Sequence, residues 1–143
     1  MYDLIIIGGG PAAVAATVYA SRKQLKSIII ASAFGGQSTV SDTIYNWIGT
    51  QTISGHDLGE DLKNHALSPP GPPPAVAAGD HVINVSKNDS TFIVKTDANK
   101  EYVGRAVLVA SGSGRRKLEA ENADKYEHKG ITYCASCDGP LFS

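Results

Sequence analysis

Two short motifs near opposite ends of the chain hold residue types that do chemistry. Cys134-Ala-Ser-Cys137 runs directly into Asp138 and Gly139, so two sulfurs stand three residues apart beside a carboxyl. A Cys-x-x-Cys pair lowers a thiol pKa and closes a small, reducible ring. A carboxyl next to a leaving thiolate is a candidate proton donor, although an Asp before Gly is also a common turn residue. Half of a metal site and two buried thiols are the other readings. A structural zinc site wants four ligands, and His56, His65, His81 and His128 lack ligand spacing. The redox reading is favoured on that ground.

The second motif is Gly8-Gly-Gly10-Pro11-Ala12-Ala13, placed directly after the apolar run Leu4-Ile-Ile-Ile7. Its pattern is Gly-x-Gly-x-x-Ala. Gly8 permits a tight turn, Gly10 lets backbone N–H groups approach a pyrophosphate, and a small Ala13 lets helix and strand pack closely. A plain glycine turn in an α/β fold is the bland alternative. A carboxylate that grips ribose is expected at the end of the next strand. Ala31-Ser32-Ala33 stands there instead. Ser32 can hydrogen-bond a ribose hydroxyl but lacks the charge-assisted bond of an acid, so weakened dinucleotide affinity is expected.

The elements that must position these motifs are legible around them. Residues 4–7 show no alternation, which suits a parallel strand buried on both faces. Residues 12–23 are alanine-rich without internal Gly or Pro and should be helix. Ser27-Ile-Ile-Ile-Ala31 is a second buried strand, which completes a βαβ unit. Ser54 with Asp57 three residues on reads as a helix start, and Leu58, Leu62 and Ala66 give that helix one apolar face. Residues 68–74 hold five of the seven prolines and should form an extended loop. A strand is expected near residues 76–79. Three short strands at residues 82–85, 91–95 and 101–103, separated by Asn88-Asp89 and Asp97-Ala-Asn99, make an antiparallel meander. It feeds another buried strand at residues 106–110. Residues 114–129 read as a charged connector. Trp47 and the tyrosines are taken as packing groups.

Bulk properties narrow the function class. A chain of 143 residues with net charge -1 fits one ordinary domain. That charge argues against a nucleic-acid or anionic-membrane surface; Arg115-Arg116-Lys117 is the only basic run. No apolar run approaches the roughly 20 residues of a membrane span, and no secretory signal is visible. Two cysteines so close together suit a cytoplasmic redox protein better than a secreted disulfide scaffold.

Taken together the motifs resemble the N-terminal part of bacterial-type, low-molecular-weight thioredoxin reductases, within the pyridine nucleotide-disulfide oxidoreductases. The flavoprotein of alkyl hydroperoxide reductases is similar too. The resemblance rests on residues 5–13, Phe34-Gly-Gly-Gln37, Asn46-Trp-Ile-Gly49, Val107-Leu-Val-Ala-Ser-Gly112 and Tyr133-Cys-Ala-Ser-Cys-Asp-Gly-Pro-Leu-Phe142. It implies FAD at Gly8, Gly10, Pro11, Ala12, Ala13 and Ser32. It adds Gly35, Gly36, Gln37 and Asn46 around the flavin, Val82 near the adenine, and Ala110, Ser111 and Gly112 closing on the cofactor. No metal is implied. It implies that Cys137 faces the flavin, Cys134 exchanges with a partner protein, and Asp138 acts as acid.

The implied reaction is NADPH to FAD to Cys-x-x-Cys to a thioredoxin-like protein disulfide, with a homodimer left open. The implied fold is a partial doubly wound, Rossmann-like FAD domain with a β-meander over residues 1–113. Residues 114–143 would begin an NADPH and redox-disulfide domain. Family members run to about twice this length, as two nucleotide sites demand. The NADPH fingerprint is therefore expected beyond Phe142, and the chain alone is expected to be inactive. A non-catalytic nucleotide-binding module is the reading from a different class.

Overall fold

The computed structural model describes residues 1–114, 116–127 and 129–133. The chain divides into two compact units, Met1–Gly112 and Ser113–Ser143. The first begins with β1 (Tyr2–Ile7), α1 (Pro11–Arg22) and β2 (Ser27–Ala31). Helix α2 (Gly55–Leu67) and strand β3 (Ala75–Ala78) follow. The meander strands β4 (Val82–Asn88), β5 (Thr91–Thr96) and β6 (Glu101–Val109) complete it. All six strands join one sheet in the order β3-β2-β1-β6-β5-β4, parallel through β3, β2, β1 and β6 and antiparallel beyond. This is the mixed α/β, Rossmann-like fold expected from the buried runs.

The isoleucines explain why the sheet forms where it does. Ile5, Ile6, Ile28, Ile29 and Ile30 are essentially inaccessible to solvent. Because side chains alternate across a strand, they serve both faces. Ile6 and Ile29 pack with Ala13 of α1 on one side. Ile5, Ile7, Ile28 and Ile30 pack with Ala77 and Val94 on the other. Each buried Ile contributes about 1.5–3 kcal/mol relative to exposure.

The second face is covered by the sheet itself. Strands β3 and β4 are opposite edges in the hydrogen-bonding order. Only residues 79–81 join them. Four Cα steps span at most about 14 Å, whereas the edges of a flat six-stranded sheet lie about 24 Å apart. The sheet must therefore curl, and Val82, Val94 and Tyr102 of the meander accordingly share a core with Ile28, Ile30 and Ala77.

Three expectations about the first unit need correction. Residues 101–103 and 106–110 are not separate strands: β6 runs through both and couples the meander to β1. Nor is the far end of β6 buried, since Val109 is 66% exposed. Pairing with β5 stops at Gly104, so the residues beyond it have only β1 beside them. Tyr45, on the loop after Val40, also fails to pack, at 75% exposed. The loop is closed by an Ile44–Ile53 bridge and leaves Tyr45, Trp47 and Ile48 exposed, Ile48 at 95%.

The second unit, taken by itself, contains the one-turn helix α3 (Ala123–Tyr126) where a connector was expected. Lys117 pairs with Asp124 at 3.3 Å and Glu127 at 2.9 Å. Hydrogen bonds to Glu127 and then Asp124 raise the Lys117 pKa above its ordinary value. The Leu118 N–H donates to the Tyr133 hydroxyl at 2.8 Å. Among the described residues no helix is long and apolar enough to cross a membrane.

Candidate functional site

The carboxyl ends of β1, β2 and β6 converge, and the glycine segments meet there. Gly8 N–H donates to Ile30 O at 2.9 Å, and Ala110 N–H donates to Ile7 O at 2.8 Å. Gly8 sits at φ +124°, and a Cβ on it would collide with the Ala110 carbonyl oxygen. Its role is to let β1 and β6 end together. Gly9, which the sequence pattern treats as a free position, is equally constrained: a Cβ there would strike the Ala33 carbonyl oxygen.

Gly10 differs. Its backbone is extended, with φ -80° and ψ -178°, which any residue adopts. A Cβ on it would find its nearest neighbour, Gly36 Cα, 3.9 Å away. The space over Gly10 is therefore open on the protein side. Gly10 is also the N-cap of α1 and brings no side-chain cap. Pro11 has no N–H, and those of Ala12 and Ala13 have no acceptor within the helix. No acidic residue stands in that first turn. The positive end of α1 thus faces the open space above Gly10 without a competing carboxylate.

The Phe34-to-Gln37 segment forms the facing wall. Gly35 N–H donates to Gly9 O at 2.9 Å. Gly35 and Gly36 both take positive φ, 90° and 57°. A 3-10 turn over Gly36–Val40 follows and leaves Gln37 exposed. This turn is seated on α2 by two glycines that no sequence motif singles out. A Cβ on Gly55 would collide with the Ser38 carbonyl oxygen, and one on Gly59 would meet the Thr39 methyl at 3.0 Å. Their i, i+4 spacing on one helix face is the signal that could have marked them.

Helix α2 starts as expected. The Ser54 hydroxyl accepts the Asp57 N–H at 2.9 Å. The Ser54 hydroxyl, then His56, hold the exposed Asp57 carboxyl below its ordinary pKa. Leu58, Leu62 and Ala66 pack against Val14 of α1, which ties the facing wall to the helix that ends at the cradle.

The remaining candidates fall as follows. Ser32 is exposed just beyond the end of β2. The neighbouring Ala31 carbonyl accepts the Gly79 N–H at 2.9 Å, which brings the turn leading to Val82 alongside it. Ala110, Ser111 and Gly112 continue from β6 beside Gly8. Asn46 stands on the exposed loop closed by Ile44 and Ile53. Cys134, Cys137 and Asp138 lie outside the described residues. Among the described residues no cluster of His, Cys, Asp or Glu is arranged to hold a metal.

An extended diphosphate fits this cradle: it is open where Gly10 lacks a Cβ and faces a helix N-terminus whose first turn holds no acidic residue. The family model described as pyridine nucleotide-disulphide oxidoreductase matches residues 2–142. The thioredoxin reductase of Treponema pallidum is 36% identical over 143 residues, covering 99% of this chain and 45% of its own length. The F component of the Staphylococcus epidermidis alkyl hydroperoxide reductase is 32% identical over 141 residues, covering 99% of this chain and 27% of its own. The solved Lactococcus lactis thioredoxin reductase in its FR conformation superposes with a TM-score of 0.79 at 29% identity. That match covers 99% of this chain and 45% of the other. The chain spans less than half the length of these relatives.

Proposed function

The chain belongs to the pyridine nucleotide-disulphide oxidoreductase family, and from that premise we propose that it carries the FAD site and redox pair of a thioredoxin-reductase-like flavoprotein. The reaction is NADPH-dependent reduction of a thioredoxin-like protein disulfide. The observation that carries this reading is the meeting of Gly10, the start of α1 and Gly36 over one open cradle at the strand ends.

Each residue has a defined task. The N–H groups at Gly10, Ala12 and Ala13 bind the pyrophosphate. Ser32 meets the ribose, with Val82 toward the adenine. Gly35, Gly36, Gln37 and Asn46 line the flavin half, and the Ala110-Ser111-Gly112 end closes the site. When bound, FAD supplies two-electron transfer between NADPH and a disulfide. Residues 114–143 belong to a pyridine-nucleotide domain.

Within the reduced pair, the Cys134 thiolate attacks the partner's disulfide, forming a mixed disulfide and releasing one partner thiolate. Cys137 then attacks the Cys134 sulfur, which closes the Cys134–Cys137 bond and releases the second. Asp138 supplies a proton to a departing thiolate. The partner gains two electrons and the pair loses two. The relative from alkyl hydroperoxide reductase supports a second reading, in which the disulfide reduced belongs to a peroxidase. Titration of the purified chain with FAD, followed by flavin fluorescence, tests the site. Saturable one-to-one binding supports it, and no binding removes its basis. Rates with a thioredoxin and with a peroxidase disulfide, measured with an NADPH-loaded full-length relative carrying these residues, separate the two acceptors.

A further inference from the structure

Strand β3 lies parallel to β2, and the Gly79 N–H at its end is held by the Ala31 carbonyl. Residues 79–81 must then cross to β4. Asp80, in the middle of that crossing, is 6% exposed. The Thr96 hydroxyl donates to its carboxylate at 3.3 Å and the Lys100 ammonium lies 3.2 Å from it. Beside it, Asp97 N–H donates to His81 O at 2.9 Å, and His81 N–H donates to the Asp97 carboxylate at 2.9 Å. The β5–β6 turn presents these partners: Thr96 N–H bonds Lys100 O, and Asn99 takes φ +58°. A buried carboxylate is costly without partners. The corner and the hairpin turn are therefore locked as one unit.

We propose that Asp80 is a positioning residue for the adenosine side of the cradle, acting through residues 79–82 rather than by touching a ligand. The inference rests on the FAD reading above. In a dinucleotide site the ribose is read at the end of the second strand. That position holds Ser32, without a carboxylate, and the turn fastened to Ala31 is the wall beside it. With no acid to grip the ribose, placement of that wall carries more of the recognition. Asp80, the residue after Gly79, fixes it through its carboxylate, which is paired to Lys100 and Thr96.

Lys100 is the safer site for the test because its side chain is 55% exposed. Lys100→Gln removes the cation, and Lys100→Arg keeps it. Two readouts are taken on the whole chain: amide hydrogen exchange without ligand, and the dissociation constants of FAD and ADP. In Lys100→Gln the His81 and Asp97 amides should exchange about tenfold faster, with the Ile6 and Ile29 amides unchanged. FAD and ADP should weaken together by roughly three- to thirtyfold, and Lys100→Arg should restore both. Unchanged exchange at His81 and Asp97 overturns the latch. Faster exchange with unchanged FAD and ADP affinity overturns the positioning role alone. A native chain that binds neither FAD nor ADP overturns the cofactor reading, and the positioning role with it.

Discussion

Gly10→Ala and Gly8→Ala should separate binding from folding within a single motif. At Gly10 the new methyl has room, with Gly36 Cα 3.9 Å away and φ at -80°. Losing glycine's unfolded-state freedom stabilises by about 0.4–1 kcal/mol. Replacing an N-cap glycine by alanine costs a similar amount, about 0.5–1 kcal/mol. Net stability should therefore stay within about 0.5 kcal/mol of the native chain. The same methyl enters the space assigned to the pyrophosphate. Overpacking costs about 1–3 kcal/mol there, so FAD should bind roughly five- to 150-fold more weakly.

Gly8→Ala reverses the pattern. It puts a side chain at φ +124° and against the Ala110 carbonyl oxygen. Backbone strain of about 1–3 kcal/mol adds to overpacking of about 1–3 kcal/mol. Urea unfolding and FAD titration of both variants read the two quantities. A Gly10→Ala chain that keeps native FAD affinity would refute the assignment of this space to the diphosphate. A Gly8→Ala chain of native stability would refute the close approach of β1 and β6.

Other expectations follow from the same geometry. Ser32→Glu should tighten FAD, since it supplies the charge-assisted bond to ribose; weaker binding in a titration would show that Ser32 does not face the sugar. Ser54→Ala should lower stability to urea by about 1 kcal/mol through loss of the α2 cap. The Asp57 carboxyl is depressed in the folded chain, so its contribution is present above its unfolded pKa and lost as pH falls through the folded value. The Ser54→Ala deficit should accordingly shrink below about pH 4. Thiol titration of the unfolded chain should find two thiols after reduction and none after mild oxidation, with Cys134→Ser or Cys137→Ser leaving one throughout.

The β1-α1-β2 unit was legible because its signals are contiguous: an unbroken apolar run, three glycines, an alanine-rich segment and a second apolar run. The start of α2 was legible for the same reason, Ser54 and Asp57 being one turn apart. The turns at Asn88-Asp89 and residues 97–99 announced themselves through residues that take positive φ, as Asp89 and Asn99 do. What was not legible depends on partners distant in sequence. Nothing local in residues 101–110 says that one strand serves both the meander and β1, or that its end outruns β5. The curl of the sheet follows from the shortness of residues 79–81 only once the strand order is known. Gly9, Gly55 and Gly59 matter through carbonyls and methyls that approach from other segments, and Asp80 through Thr96 and Lys100. Gly8, Gly10, Gly35, Gly36 and Ala110 were named from motif and resemblance, and the fold brings them together. Asn46 remains on its own loop, and the chemistry of Cys134, Cys137 and Asp138 is argued from residue types alone.

The most direct test of the strand-end cradle as the dinucleotide site is a backbone amide NMR titration of the chain with FAD. The expected result is a saturable set of shifts at Gly9, Gly10, Ala12, Ala13 and Gly36, extending to Ser32 and Ser111. A cavity of about 370 Å³, lined by Tyr2, Lys26, Ser27, Pro72 and Ala75, lies instead at the opposite, amino-terminal end of the parallel strands. Shifts confined to Tyr2, Lys26, Ser27 and Ala75, or no shifts at saturating FAD, would contradict the assignment.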